Sequence, residues 1–327
     1  MYYPFLRGKQ EELLAIKELL LSDKLSERVT PVIELVKLSP TLIKTLEAFI
    51  NAERNIYLVM NPIVGEFEDN MSEILLGNED PDEEKKISKL NRNRDSFEEL
   101  FKSEFIKVAL YYGNDFNSYF NDVGLESTNE IAILLKDSEE NERFTQSTYA
   151  MDSRISLCFT TELEDTVNFP GKAILWKDRF NKKSRNSDYD TPEDEFFSKD
   201  HLMYSKFDCI GFSDYSIVGS EYVDGGFPPY AIAIHIIYQS ADNNFLRIRH
   251  FMSDTNNSSK NPALKYEEAT VKLVTWCEPN LNIKTLGYSK IKENYDTKSY
   301  PGLGCIKRFS IMHHLETTGK LLNILGN

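Results

Sequence analysis

Short apolar runs alternate along the chain with longer amphipathic stretches. β-Branched, aromatic or aliphatic residues dominate "YYPFL" (Tyr2 to Leu6), "VTPVIEL" (Val29 to Leu35), "IYLVMN" (Ile56 to Asn61) and "FIKVALYY" (Phe105 to Tyr112). They recur in "IAILLK" (Ile131 to Lys136), "ISLCFTT" (Ile155 to Thr161), "AILWKD" (Ala173 to Asp178) and "CIGFSD" (Cys209 to Asp214). Several of these runs are apolar almost throughout, the pattern of parallel strands covered on both faces. Between them the period becomes helical. "KQEELLAIKELLLSD" (Lys9 to Asp23) aligns Leu13, Ile16, Leu19 and Leu20 on one stripe. "SPTLIKTLEAFINAE" (Ser39 to Glu53) opens with a serine before a proline, an N-cap followed by proline at the first helical position. In "SKLNRNRDSFEELFKSE" (Ser88 to Glu104), Leu90, Phe97 and Leu100 come together. Eight such alternations predict an α/β chain folded as a (β/α)8 TIM-like barrel. A doubly wound open sheet is the competitor, and no GxGxxG follows a strand to favour it.

After the eighth run the chain adds what a minimal barrel does not need. "YAIAIHIIYQ" (Tyr230 to Gln239), the turn "SADNN" and "FLRIRHFMS" (Phe245 to Ser253) read as a β-hairpin over residues 230–253. Its second arm puts Leu246, Ile248 and Met252 on one face and Arg247, Arg249 and Phe251 on the other. A helical extension follows over 254–327, with helices in Pro262 to Glu278 and Cys305 to Leu325, all within one domain of 327 residues. Two registers are open: one starts the barrel at Tyr2, the other starts it at Val29 and makes the Ala231 arm its eighth strand. The long polar segment Asp178 to Phe197 leaves the seventh strand, where a barrel would carry it over the mouth as a mobile loop.

Charge narrows the function. A net charge of −14 argues against a protein whose main task is gripping nucleic-acid phosphates. The acid is clustered in "GNEDPDEEKK" (Gly77 to Lys86) and "DSEENER" (Asp137 to Arg143), solvated faces by default and otherwise a dock for a basic partner or a nucleic-acid mimic. Cys158, Cys209, Cys277 and Cys305 are far apart, without metal-ligand spacing, and read as buried thiols of a reducing cytoplasm. No apolar run approaches the roughly 20 residues of a membrane span, and the amino terminus lacks the pattern of a secretory signal.

Barrel enzymes collect their reacting groups at the carboxyl ends of the strands. Here those ends carry the acids Glu34, Asp178 and Asp214 as candidate catalytic residues, and Arg7, Lys9, Asn61, Lys136 and Arg179 as candidate ligand-binding residues. Carboxylates can hold a divalent metal, which takes oxygen ligands, while the bases hold phosphate oxygens. Alternatively one carboxylate serves as general acid or base. Polar residues at strand ends are also what any barrel shows. Asp214 is expected in the mouth, paired with Arg7, Lys9 or Lys136. The glycines of "VGSEYVDGGFPPY" (Val218 to Tyr230) lack P-loop and Rossmann spacing; Gly225 and Gly226 read as a tight turn, and the stretch could offer N–H groups to an anion after the eighth strand. "LRGK" has Leu6 where a glycerophosphodiesterase barrel would carry histidine. His235 reads as a core histidine, and His313 and His314 as helix residues away from the mouth. No GxSxG elbow or Cys/His pairing is legible.

The opening "MYYPFLRGKQEELLAIKEL", joined to "VTPVIELVK", resembles the start of the beta family of bacterial and phage proteins. The likeness rests on Tyr3, Pro4, Leu6, Arg7, Lys9, Glu12, Leu13 and Ala15, then Pro31, Ile33 and Glu34, with looser agreement through "NIYLVMNP" and "CIGFSDYSIVG". The resemblance implies a barrel-like fold and a phage-conflict or anti-phage defence setting, in which some relatives stand beside predicted nucleases. It implies no reaction. Two expectations follow: a mouth that binds an anionic ligand, a nucleotide or phosphorylated small molecule, with metal-assisted phosphoester hydrolysis as its extension; or a non-catalytic acidic subunit that binds and regulates a partner nuclease.

Overall fold

The computed structural model describes residues 1–72, 81–113, 115–126, 130–225 and 228–326. Strand and helix alternate as the hydrophobic pattern requires: β1 (Phe5–Leu6), α1 (Gln10–Leu21), β2 (Val32–Glu34), α2 (Pro40–Asn51), β3 (Ile56–Val59), α3 (Phe67–Ser72), α4 (Pro81–Phe101) and β4 (Ile106–Tyr111). The run continues with α5 (Phe116–Glu126), β5 (Ile131–Leu135), α6 (Ser138–Thr145), β6 (Ile155–Thr160), β7 (Ala173–Trp176), β8 (Asp194–Ser198), α7 (Asp200–Met203) and β9 (Gly211–Ser213). Eight parallel strands in the order β1-β2-β3-β4-β5-β6-β7-β9 form a (β/α)8 barrel. Its seam closes where Tyr2 bridges Phe212, with Tyr3 N–H donating to Phe212 O (2.9 Å) and Phe5 N–H to Asp214 O (2.9 Å). The barrel therefore starts at the amino terminus, and the alternative starting at Val29 is excluded. Ser39 caps α2 as its position before Pro40 predicts, its Oγ accepting from Leu42 N–H at 3.2 Å.

The remaining elements are β10 (Ala233–Gln239), β11 (Leu246–Met252), α8 (Pro262–Asn280), α9 (Leu286–Asp296) and α10 (Leu303–Leu325). β10 and β11 form the expected hairpin, but β8 adds to the edge of β11 and completes a three-stranded antiparallel sheet. This corrects the view of Asp178 to Phe197 as a free loop over the mouth. An unpaired strand edge recruits a partner, and the segment anchors itself further through the buried rings of Phe180 and Tyr189. Gly225 takes φ +77°, consistent with a turn, while Gly226 lies outside the described residues, as do residues 77–80 of the first acidic stretch. α10 packs against α1, α9 and β10, and the outer side chains of the barrel, the small sheet and the carboxyl-terminal helices share one apolar core. Among the described residues, no helix is long and apolar enough to cross a membrane. The four cysteines are free; burial pushes the Cys158 and Cys277 thiols up to about 12 and Cys209 to about 11.

A second, separate cluster fills the lumen. Tyr3, Tyr57 and Phe159 form one layer, and Phe5, Tyr111, Trp176 and Tyr215 lie above it, with Trp176 5.0 Å from Phe5 and 5.6 Å from Tyr215 between ring centroids. The lumen is thus a packed core, as in barrels generally.

Candidate functional site

Side chains alternate across a strand, so the residues of lumen-facing parity are set by the packed ones below them. Arg7 follows Tyr3 and Phe5; Glu34 follows Val32; Asn61 follows Tyr57 and Val59; Asp178 follows Ile174 and Trp176. These residues do reach the mouth. Arg7 Nη1 pairs with Glu34, which is fully buried, and Arg7 Nη2 donates to Ser220 O. Glu34 Oε1 also accepts from Ile63 N–H (3.0 Å), and Asp178 accepts from Ser220 N–H (2.6 Å) and Phe180 N–H (3.0 Å). Gly8 makes this possible: at φ +63° it turns the chain beneath Glu34 O, where a Cβ would lie only 2.8 Å away. The Arg7 guanidinium rests on Phe5 and Tyr215, 5.6 and 5.4 Å from their centroids. The mouth is a plugged, hydrogen-bonded lid on the lumen that ties the exits of five strands together.

Other expected residues are already engaged. Asn61 bonds both the N–H and the C=O of Tyr111 (2.9 Å each), and Lys136 pairs with Glu140 (3.2 Å) at the edge of a hollow of about 440 Å³. Arg179 has the opposite parity to Asp178 and turns outward onto Asp200, bidentate at 2.7 Å. A larger hollow of about 980 Å³ opens between Lys9 and Lys37, but Lys37 is neutralised by Glu66 at 2.5 Å.

Asp214 is the main correction. It has the outward parity of Phe212, so it leaves the mouth and meets neither Arg7, Lys9 nor Lys136. Its Oδ1 accepts from the Tyr2 hydroxyl (2.7 Å) and Ser216 N–H (2.8 Å), and its Oδ2 lies 3.9 Å from His314 Nε2, which has no hydrogen-bond partner. Burial pushes this carboxyl up to about 7 against the opposing pull of the Tyr2 and Ser216 bonds. His314 Nδ1 contacts Ser216 Oγ at 2.9 Å, and burial pushes the ring down to about 3. His314 therefore belongs to this seam between barrel and α10. Ser216, His314 and Asp214 resemble a nucleophilic triad in composition, but all three are shut away from solvent.

The feature that the sequence did not disclose is a cleft of about 480 Å³ beside the mouth, between the loops that leave β7 and β9 and the first turns of α10. Lys182 and Lys183 come from the β7 loop, Lys9 from the β1 exit and Lys307 from α10. Lys182 is paired with Glu221 (2.8 Å), and Lys307 with buried Glu12 (3.3 Å). Lys9 donates to Val223 O and lies 4.4 Å from the Tyr222 ring centroid; among the described residues neither it nor Lys183 has a carboxylate partner. The Lys9 ammonium is held below its usual pKa by burial first and then by Lys307, with Lys182 adding to the repulsion. His235, half-buried, lines the cleft from β10. These residues are spread along the sequence from Lys9 to Lys307, and no local motif marks them. No protein family, curated protein or solved structure matches this chain.

Proposed function

We propose that this barrel binds a phosphate-bearing small molecule, with the anionic group seated in the lysine-lined cleft at its carboxyl-terminal face. The observation that carries this is the convergence of Lys9, Lys182, Lys183 and Lys307 on one concave site in a chain of net charge −14. Like charges crowded together in partial burial are costly, and an anion relieves that cost. The position supports the same reading: barrels bind phosphate between the loops after the seventh and eighth strands and a helix amino terminus. Here the β7 and β9 loops and the start of α10 supply those parts. Metal-assisted hydrolysis fits less well. Glu34, Asp178 and Asp214 are each committed to separate partners, and among the described residues no group of three His, Cys, Asp or Glu side chains could hold a metal ion. The proposal is therefore of binding.

Calorimetric titration with methyl phosphate and a nucleoside monophosphate at low ionic strength tests it. Lys183→Ala and Lys9→Ala should each weaken binding by roughly 10- to 100-fold, the value of one charge-assisted hydrogen bond. Absence of binding by the wild type to either probe at millimolar concentration would defeat the proposal. A second reading, an acidic subunit that docks a basic protein such as a nuclease in a phage-defence setting, is favoured by the net charge alone. It requires that the immobilised chain retain a basic partner and release it as salt shortens the Debye length.

A further inference from the structure

His235 stands in the wall of the lysine cleft, and the groups behind it dictate which of its nitrogens carries hydrogen. Its Nδ1 lies 2.8 Å from Nδ1 of His250 on β11, and His250 Nε2 lies 3.2 Å from Glu195 Oε1 on β8. An ionised carboxylate only accepts, so His250 Nε2 bears the hydrogen. A neutral imidazole has a single N–H, which makes His250 Nδ1 the acceptor and His235 Nδ1 the donor. His235 Nε2 is left with its lone pair as an acceptor facing no protein donor, and no hydrogen bond to it occurs among the described residues.

The surroundings keep both rings neutral. Burial, then the neighbouring His250, pushes His235 down to about 3; burial also lowers His250, with Glu195 opposing. Tyr189 packs against both rings, at 4.6 and 4.8 Å between centroids, and Phe180 lies 5.1 Å from His235. The charged groups that face the pair are Lys183 from the β7 loop and Asp194 on β8. Across the cleft stand Lys182, Lys307 of α10, Lys9 and Glu221.

A bare nitrogen lone pair beside a phosphate oxygen repels it unless a proton lies between them. We propose that the cleft takes its ligand as a phosphomonoester together with one proton, shared between a phosphate oxygen and His235 Nε2, so that His235 selects monoesters over diesters. This rests on the anion-binding reading of the cleft and adds a signature that lysines alone would not produce. A monoester loses its second proton near pH 6. Lysines by themselves favour the resulting dianion, so their affinity rises to a plateau above that pH. With His235 as acceptor, the dianion must pick up a proton as it binds, and affinity falls by up to tenfold per pH unit above about pH 7. Glu195 acts as the positioning residue, since it fixes both tautomers.

The test is calorimetric titration of the full chain with methyl phosphate at about pH 6 and about pH 8, in buffers of different ionisation enthalpy, which reads proton uptake directly. The expected result is uptake of close to one proton at the higher pH and at least tenfold weaker binding of dimethyl phosphate. His235→Gln should retain binding with no uptake, its affinity rising to a plateau toward about pH 8 as expected for lysines alone. Glu195→Gln provides the independent check: its amide can donate to His250 Nε2, which reverses both tautomers and turns His235 Nε2 into a donor, again abolishing uptake while phosphate still binds. Wild-type binding without proton uptake, or uptake that survives His235→Gln, overturns this inference and leaves the anion site standing. Failure of the wild type to bind methyl phosphate at all overturns both.

Discussion

Replacing Asp214 by asparagine should stabilise this protein at neutral and alkaline pH, although the residue is buried and hydrogen-bonded. The carboxyl is 2 % exposed, and the nearest base, His314, is held neutral by its own burial. Ionisation in that setting carries a desolvation penalty with no paired cation to offset it: the pull of Arg179 is opposed by Asp200, on which Arg179 is bidentate. The sign follows from proton binding. The folded state binds the Asp214 proton more tightly than the unfolded state, because its pKa rises from 3.8 to about 7. This stability is fully present below about pH 4 and is lost as pH rises through 7, at about 1.4 kcal/mol per pH unit, or about 4 kcal/mol in all. Asparagine has no such proton to lose. Its Oδ1 can keep the bonds from Tyr2 and Ser216, and its amide can donate toward the unpartnered His314 Nε2.

Urea denaturation of both proteins, from about pH 4 to about pH 8, gives the difference in unfolding free energy. That difference cancels the opposite slopes contributed by His235 and His313, whose ring pKa values burial lowers and which both proteins share. The variant should gain on the wild type from about pH 4 to about pH 7 and then level off, reaching a few kcal/mol. A pH-independent difference, or a variant less stable than the wild type at about pH 8, would refute the reasoning. It would mean that Asp214 is ionised in the folded protein and compensated by a cation.

Glu34→Gln leaves the Arg7 guanidinium buried without a counter-charge and should cost about 3–5 kcal/mol; the double change with Arg7→Met should recover much of it, and a single-variant loss under 1 kcal/mol in urea denaturation would show that the pair is not desolvated. Ser39→Ala removes the side-chain bond that caps the α2 amino terminus and should lower stability by about 1 kcal/mol, read by the same assay.

Much of this molecule is legible in the sequence alone. The all-apolar runs fixed the barrel because a strand buried on both faces has few other places to go, and Ser39-Pro40 marked a helix start through purely local chemistry. Strand parity was also present in the sequence. Arg7, Glu34, Asn61 and Asp178 share the phase of the lumen residues, whereas Asp214 and Arg179 share that of Phe212 and the outer layer. Position at a strand end alone could not separate the two groups; the two-residue period could.

Tertiary structure decided the rest, because each remaining feature depends on which distant groups meet. β8 is a strand only because the edge of β11 lies beside it. In the sequence His313 and His314 are only helix residues away from the mouth; the packing of α10 against the seam and β10 decides that they bond Thr285, Ile237 and Ser216. The lysine cleft has no linear trace, since its cations come from β1, the β7 loop and α10. Periodicity records how much of a segment is buried. The partner that receives a buried polar group, and the charges that share one hollow, are set by the packing of elements far apart in the chain.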